Sequence, residues 1–171
     1  MRKYYLFLIL LLLFIDLGVS AQTYSPPINY AFQTKADYVK YEADVISTVD
    51  WMQQTQWSDQ QEKQVQAKKF LTDWATGSPY VTVNISQPLL RLCKRNPELL
   101  LTYMGQFVKY ALEHKTNFNK TQANIFAIRA LLAKYNMETD RRKDTAVEKL
   151  IATDQQGKLG DWVKNDMNEP E

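Results

Sequence analysis

Apolar residues recur along most of this chain at steps of three and four, the spacing that lines one face of an α-helix. Thr34 with Asp37 three residues later resembles a capping box with Asp in the acidic place, and it opens a first helix running to about Gln54. Tyr38, Tyr41, Val45, Val49 and Met52 make its stripe, and Trp51 falls off that stripe. After a short link at Thr55 to Trp57, Ser58 is a suitable N-cap for a second helix to about Thr76, with Ala67, Phe70, Leu71 and Trp74 as its core face. So short a link predicts two antiparallel neighbours. Gly77 supplies a C-cap, and Ser78-Pro79 stops the helix.

From Tyr80 to Ile85 the rhythm changes to alternation, with Val81, Val83 and Ile85 on one side. With no partner strand in the sequence, 79–86 reads as an extended connector pressed on the helices. A short third helix follows Ser86, with Pro88 in its first turn, and stops before Asn96. Asn96-Pro97-Glu98 has the order cap, proline, acid that starts a fourth helix. From Leu99 to Leu112 its apolar residues cover more than half the circumference, which predicts a central position. Gly105 lies at the edge of its polar arc, where a neighbouring helix can approach closely. A fifth helix, Thr121 to Tyr135, carries one face of Ile125, Ile128, Leu131, Leu132 and Tyr135 and a second of Phe126, Ala130 and Ala133. Two shorter helices close the pattern, one marked by Ala146, Val147, Leu150 and Ile151 and ended by Gly157, the other by Leu159, Trp162 and Val163.

These elements predict an all-α fold, an irregular bundle of about six to seven helices in one domain over 34–165. An extended arm at 22–33, where Ser25-Pro26-Pro27 blocks helix, precedes it, and a solvated tail at 166–171 follows.

The first 21 residues read differently. Arg2 and Lys3 form a positive head, Leu6 to Ile15 carries no polar side chain, and Val19-Ser20-Ala21 has the small-residue pattern of a cleavage site before Gln22. That is the layout of a secretory signal peptide. A spanning helix needs roughly 20 apolar residues, and Asp16 ends this run first. The expectation is an exported protein, periplasmic or extracellular, with no transmembrane anchor after cleavage. No cysteine lies near the cleavage site to accept lipid.

Charge changes the picture little. The chain has 21 basic and 19 acidic residues; without Arg2, Lys3 and Asp16 these become 19 and 18, a net +1. Nucleic-acid binders usually show a basic stripe, so the mature domain carries no such expectation. Cys93 is the single cysteine, which excludes a disulfide framework within the chain. Leu89 and Leu92 place it on an apolar stripe, where a free cysteine packs as a small hydrophobe. An intermolecular bridge or a reactive thiol is the other reading.

Catalytic inventory is thin. His114 is the only histidine and falls in the last turn of the fourth helix, where the helix dipole favours a cation. One His and one Cys cannot build a zinc site, and the Asn165-Asp166 and Glu169 cluster lacks the turn a calcium loop needs. No glycine falls in a phosphate-loop or dinucleotide pattern, so the expectation is no metal and no cofactor. A hydrolase needs only two carboxylates, but Glu98 and Glu113 stand about 22 Å apart along one helix. Asp50, Glu62 and Asp73 read as surface charge.

Aromatic and basic residues give the candidate binding positions. Trp51, Trp57 and Tyr80 lie at helix junctions, where an exposed ring suits a sugar or a protein partner. The plainer reading packs Trp51 on a helix and plugs the hairpin end with Trp57. Arg141 and Arg142, with Lys143, would oppose the dipole of a helix capped by Asp140; either that helix starts nearer Asp144 or the cluster meets an acidic partner or a lipid head group. Asn84 and Asn119 stand in glycosylation sequons.

With its signal peptide, the Asp50-Trp51-Met52 helix end and the Trp74-Ala75-Thr76-Gly77-Ser78-Pro79 break, the chain resembles small uncharacterised secreted helical proteins of Bacteroidetes-type bacteria. That resemblance implies an envelope setting and nothing catalytic. The expected function is therefore binding of a protein or envelope component, with an acid-pair hydrolase of envelope glycans as the alternative and a protein or glycan as partner.

Overall fold

The computed structural model describes residues 24–167. The predicted signal peptide, residues 22 and 23 of the arm and residues 168–171 of the tail lie outside them. The described chain is all-α: α1 (Lys35–Lys40), α2 (Glu42–Gln54), α3 (Gln61–Gly77), α4 (Gln87–Cys93), α5 (Glu98–Glu113), α6 (Lys120–Met137), α7 (Thr145–Gln155) and α8 (Leu159–Trp162), closed by one π-turn over Val163–Met167. It is an irregular helical bundle with no strand among the described residues, and the connector at 79–86 is extended apart from a bend at its start.

α5 occupies the centre. Leu99, Tyr103 and Phe107 face a core shared with α4, α6, α7 and α8. Val108 and Leu112 face a second core made by Tyr38, Val45, Val49, Phe70, Leu71 and Trp74. Gly105 lets the helices close up, since a Cβ there would sit 3.0 Å from both Leu71 Cδ2 and Val49 Cγ2. Two buried tyrosine hydroxyls are paired: Tyr103 Oη donates to Asn124 Oδ1 at 2.8 Å, and the Asp144 N–H donates to Tyr135 Oη at 2.9 Å. Buried polar groups that keep a partner avoid the desolvation cost of an orphan.

The first predicted helix is two. The Thr34–Asp37 capping box starts α1 as expected, and the Asp37 carboxylate, receiving the N–H groups of Thr34 and Gln33, is held below its usual pKa. At Tyr41 the backbone leaves the helix (φ −98°, ψ 7°) before α2 begins. The arm explains the break. Tyr30 and Phe32 stack at 5.0 Å, both meet Tyr41 edge-on and Tyr30 meets Phe70 edge-on, so the chain turns around a cluster of rings. The arm thus lies on the domain, with Tyr24 stacked on Trp51 at 4.9 Å and its hydroxyl donating to Thr48 Oγ1 at 2.8 Å. Burial pushes the Tyr24 hydroxyl up to about 12.

Other expectations need correction. Ser58 does not cap α3; the helix starts at Gln61 after Gln60 in the left-handed region (φ 49°), because residues 55–57 are held by α6 and the loop after it. Asn96 does not cap α5, its amide being engaged with the backbone of Arg142. The Phe126, Ala130 and Ala133 face of α6 is not a second core, since Phe126 is 39% exposed; Ala123 and Ala127 instead join Ile128, Leu131, Leu132 and Tyr135 in one core. Alternation in the connector fails at Ile85, which is exposed. α7 is capped by Asp144, whose Oδ1 accepts from Ala146 N–H at 2.9 Å, leaving the cations at 141–143 in the preceding loop. Met167 is buried, so the packed chain runs past 165.

Gly77 also has another role. It does not take the left-handed cap conformation, which among the described glycines belongs to Gly157 (φ 73°). A Cβ at Gly77 would instead overlap the Tyr38 hydroxyl. Gly77→Ala is therefore expected to destabilise the fold by about 1–3 kcal/mol through overpacking. Adding Tyr38→Phe, which removes the obstructing oxygen, should recover part of that loss in a urea-unfolding double-mutant cycle. Additive losses would mean that the two residues do not collide.

Candidate functional site

A cleft of about 560 Å³ opens where α1, the connector and the C-terminal half of α5 meet. α1 contributes Lys35 and Val39, the connector Tyr80, Val81 and Thr82, and α5 Phe107, Ala111 and Leu112. The turn after α5 adds Lys115 and Phe118, and Glu42 stands at the start of α2. The break at Tyr41 matters here, because it puts Glu42 at a helix start with its side chain free to reach across the connector.

The floor of the cleft is apolar and its rim is charged. Phe107 and Leu112 are buried, whereas Val39 is 49% and Phe118 45% exposed and form an apolar lip. Glu42 joins the walls: Oε1 accepts the Tyr80 hydroxyl at 2.9 Å, and Oε2 pairs with Lys115 Nζ. Burial, then the Glu42 carboxylate, raise the Tyr80 pKa, so its phenol stays protonated. Lys35 Nζ lies 5.7 Å over the Tyr80 ring, a cation–π distance. Glu42 being matched by Lys115, Lys35 is the charge left over in the cleft.

The structure separates the sequence-derived candidates. Tyr80 lines the cleft. Trp51 lies under Tyr24, with Lys63 Nζ 5.6 Å over its ring, and Trp57 packs against the core beside α5 and α6. Trp51, Trp57 and Tyr80 therefore do not form one surface. Arg141 lies 5.0 Å over the Tyr135 ring and donates to the Glu138 carbonyl at 2.6 Å, while the Arg142 N–H donates to Asn96 Oδ1 at 2.8 Å. Both are exposed, in a loop remote in sequence from the cleft.

The residues weighed for catalysis have structural partners. His114 stacks on Tyr110 at 4.0 Å, and its Nδ1 lies 2.9 Å from the Tyr110 carbonyl oxygen. Cys93 is buried and unbridged, and burial together with the Asp144 charge pushes its thiol up to about 12. Lys109 joins Asp50 and, at 3.8 Å, Glu113. Asp73 accepts from Lys69 and Tyr30, which hold it below its usual pKa. A general acid needs a shift in the opposite direction. Asn119 Oδ1 caps α6 by accepting Gln122 N–H at 2.9 Å, whereas Asn84 is exposed. Among the described residues, no three His, Cys, Asp or Glu side chains are grouped to hold a metal, and no helix is long and apolar enough to cross a membrane.

One feature escaped the sequence reading. Lys134 and Glu138 are each 1% exposed, with Nζ 2.6 Å from Oε1. Glu138 Oε1 meets no other donor, Oε2 accepts the Trp57 N–H at 3.0 Å, and Lys134 Nζ also donates to the Thr55 carbonyl. Burial lowers the Lys134 pKa against the opposing pull of Glu138. Its signature was present, since Ala127, Leu131, Lys134 and Glu138 run at steps of four, three and four on a buried stripe. No protein family, curated protein or solved structure matches the chain.

Lys134→Met strands a buried carboxylate and is expected to cost about 3–5 kcal/mol of stability. Lys134→Met with Glu138→Leu should recover most of that in thermal unfolding, as apolar replacement of both partners usually does. Failure of the second change to rescue the first would show that the pair's backbone contacts, not its charges, hold the junction.

Proposed function

We propose that this protein is an exported, non-enzymatic helical domain that binds a component of the cell envelope in the cleft around Tyr80. The observation that carries the reading is the cleft itself. Its volume falls in the range of ligand sites, roughly 300–1,000 Å³, and it combines an apolar floor with a few oriented polar groups. A partner suited to it brings an apolar group to Phe107 and Phe118 and an acidic or hydroxyl group to Lys35.

Binding rather than turnover is favoured by what the lining offers. Its one carboxylate, Glu42, is occupied by Tyr80 and Lys115, and a retaining or inverting hydrolase requires two acids. Export follows from the Arg2-Lys3 head, the apolar run to Ile15 and the small residues before Gln22.

Ala111 is half-buried in the cleft wall, so Ala111→Trp fills the cleft with little demand on the core. Native mass spectrometry of the exported protein after incubation with envelope extract should show a bound species that this variant weakens at least about tenfold. Undiminished capture by Ala111→Trp would place binding elsewhere. The intact mass of the protein recovered from the envelope or medium should match residues 22–171, with or without loss of ammonia from cyclisation of Gln22; a full-length chain beginning at Met1 in the membrane pellet would refute cleavage.

A further inference from the structure

The arginines of this chain are unevenly placed. Five follow the predicted cleavage site: Arg91, Arg95, Arg129, Arg141 and Arg142. Arg129 pairs with Asp154 at 3.0 Å. The other four belong to two cationic triplets, Arg91-Lys94-Arg95 and Arg141-Arg142-Lys143, which the fold brings to one edge. Asn96 makes the join: its Nδ2 donates to the Arg142 carbonyl and its Oδ1 accepts the Arg142 N–H, both at 2.8 Å. Beside it, the Arg95 guanidinium donates to the Lys143 carbonyl.

All six side chains are exposed, and none has a carboxylate within ion-pair distance among the described residues. Asp144 caps α7 and Glu138 is paired inside, while Asp140, Glu98, Glu148 and, at the adjoining groove, Asp166 are exposed acids that make no ion pair with the six cations. In a domain of net charge near +1, this crowding does not follow from overall basicity. Like charges held together by a buried Asn bridge repel one another, and an external anion relieves that repulsion. Apolar groups adjoin this edge: Leu90, one turn before Lys94, is 39% exposed, and a groove between α4 and α7 is lined by Arg91, Lys149 and Trp162, with Asp166 as its one carboxylate. Guanidinium forks match phosphate, and exposed leucine with half-buried tryptophan suits the head-group region of a bilayer.

We propose that this edge docks the domain on an anionic phospholipid surface, with Arg95 and Arg142 at head-group phosphates and Leu90 in the interface. The docking is independent of the cleft, so either can fail alone. The test is co-sedimentation of the exported protein with phosphatidylglycerol-containing vesicles and with pure phosphatidylcholine vesicles. Pelleting is expected with the anionic vesicles only and declines as salt rises. Lys94→Glu with Arg142→Glu alters two side chains that hold nothing inside the fold, and should weaken binding at least about tenfold, since each cation near the surface contributes strongly. Lys40→Glu with Lys120→Glu makes the same charge change away from this edge, Lys120 lying at the opposite end of α6 from the loop, and should leave binding within about twofold. Leu90→Ser should weaken it without changing the salt dependence. No pelleting, equal pelleting on neutral vesicles, or equal loss in both double variants would overturn the proposal. So would retention on immobilised polyphosphate without vesicle binding, which would assign the edge to a soluble polyanion.

Discussion

Everything in this bundle is arranged around the need to enclose α5. A helix with apolar residues over most of its circumference cannot rest against one neighbour and leave its other side wet, because each large side chain removed from water contributes about 1.5–3 kcal/mol. Two cores form on its two sides as a result. Tyr103 and Phe107 are covered by α4 and α6 to α8, and Val108 and Leu112 by α1 to α3. Gly105 allows α2 and α3 to close on it through Val49 and Leu71. The most extensive helix contact is α5 with α6, its neighbour in the chain, so the centre of the fold is also its most local part.

The buried Lys134–Glu138 pair solves a different problem. It ties the end of α6 to the link between α2 and α3, about eighty residues earlier, using a backbone carbonyl at Thr55 and a backbone N–H at Trp57. Apolar packing could hold these segments together, but it would not set their register as hydrogen bonds do. The same residues reach the surface. Arg141 donates to the Glu138 carbonyl and lies over Tyr135, and Tyr135 Oη accepts the Asp144 N–H. The segment that carries the interior ion pair thus also contacts the exterior cationic loop, through the Glu138 carbonyl and the Tyr135 side chain.

The cleft has a comparable origin. Had residues 35–54 formed one unbroken helix, Glu42 would lie mid-helix. The turn at Tyr41, supported by the rings of Tyr30, Phe32 and Phe70, places it instead at the first position of α2, joined to Tyr80 and Lys115. The arm is therefore part of the architecture of the cleft, although it contributes no helix.

By itself the sequence determined the helical class, the main core stripe of most helices and several ends, including Ser86 before α4 and Gly157 after α7, because periodicity and caps act over three or four residues. Tyr80 was legible as a candidate for the same reason, an aromatic at a helix break. The failures share one cause. Ser58 and Asn96 have the composition of caps, and which partner their segments take was decided by α6 and by Arg142. Glu42 and Lys115 are 73 residues apart, and Arg95 and Lys143 are 48 apart. Such pairs meet only after burial of α5 has set the helix directions, a constraint summed over the whole core and carried by no short stretch of chain. Tertiary structure alone therefore decided the cleft, the tie between the buried ion pair and the α2–α3 link, and the cationic edge.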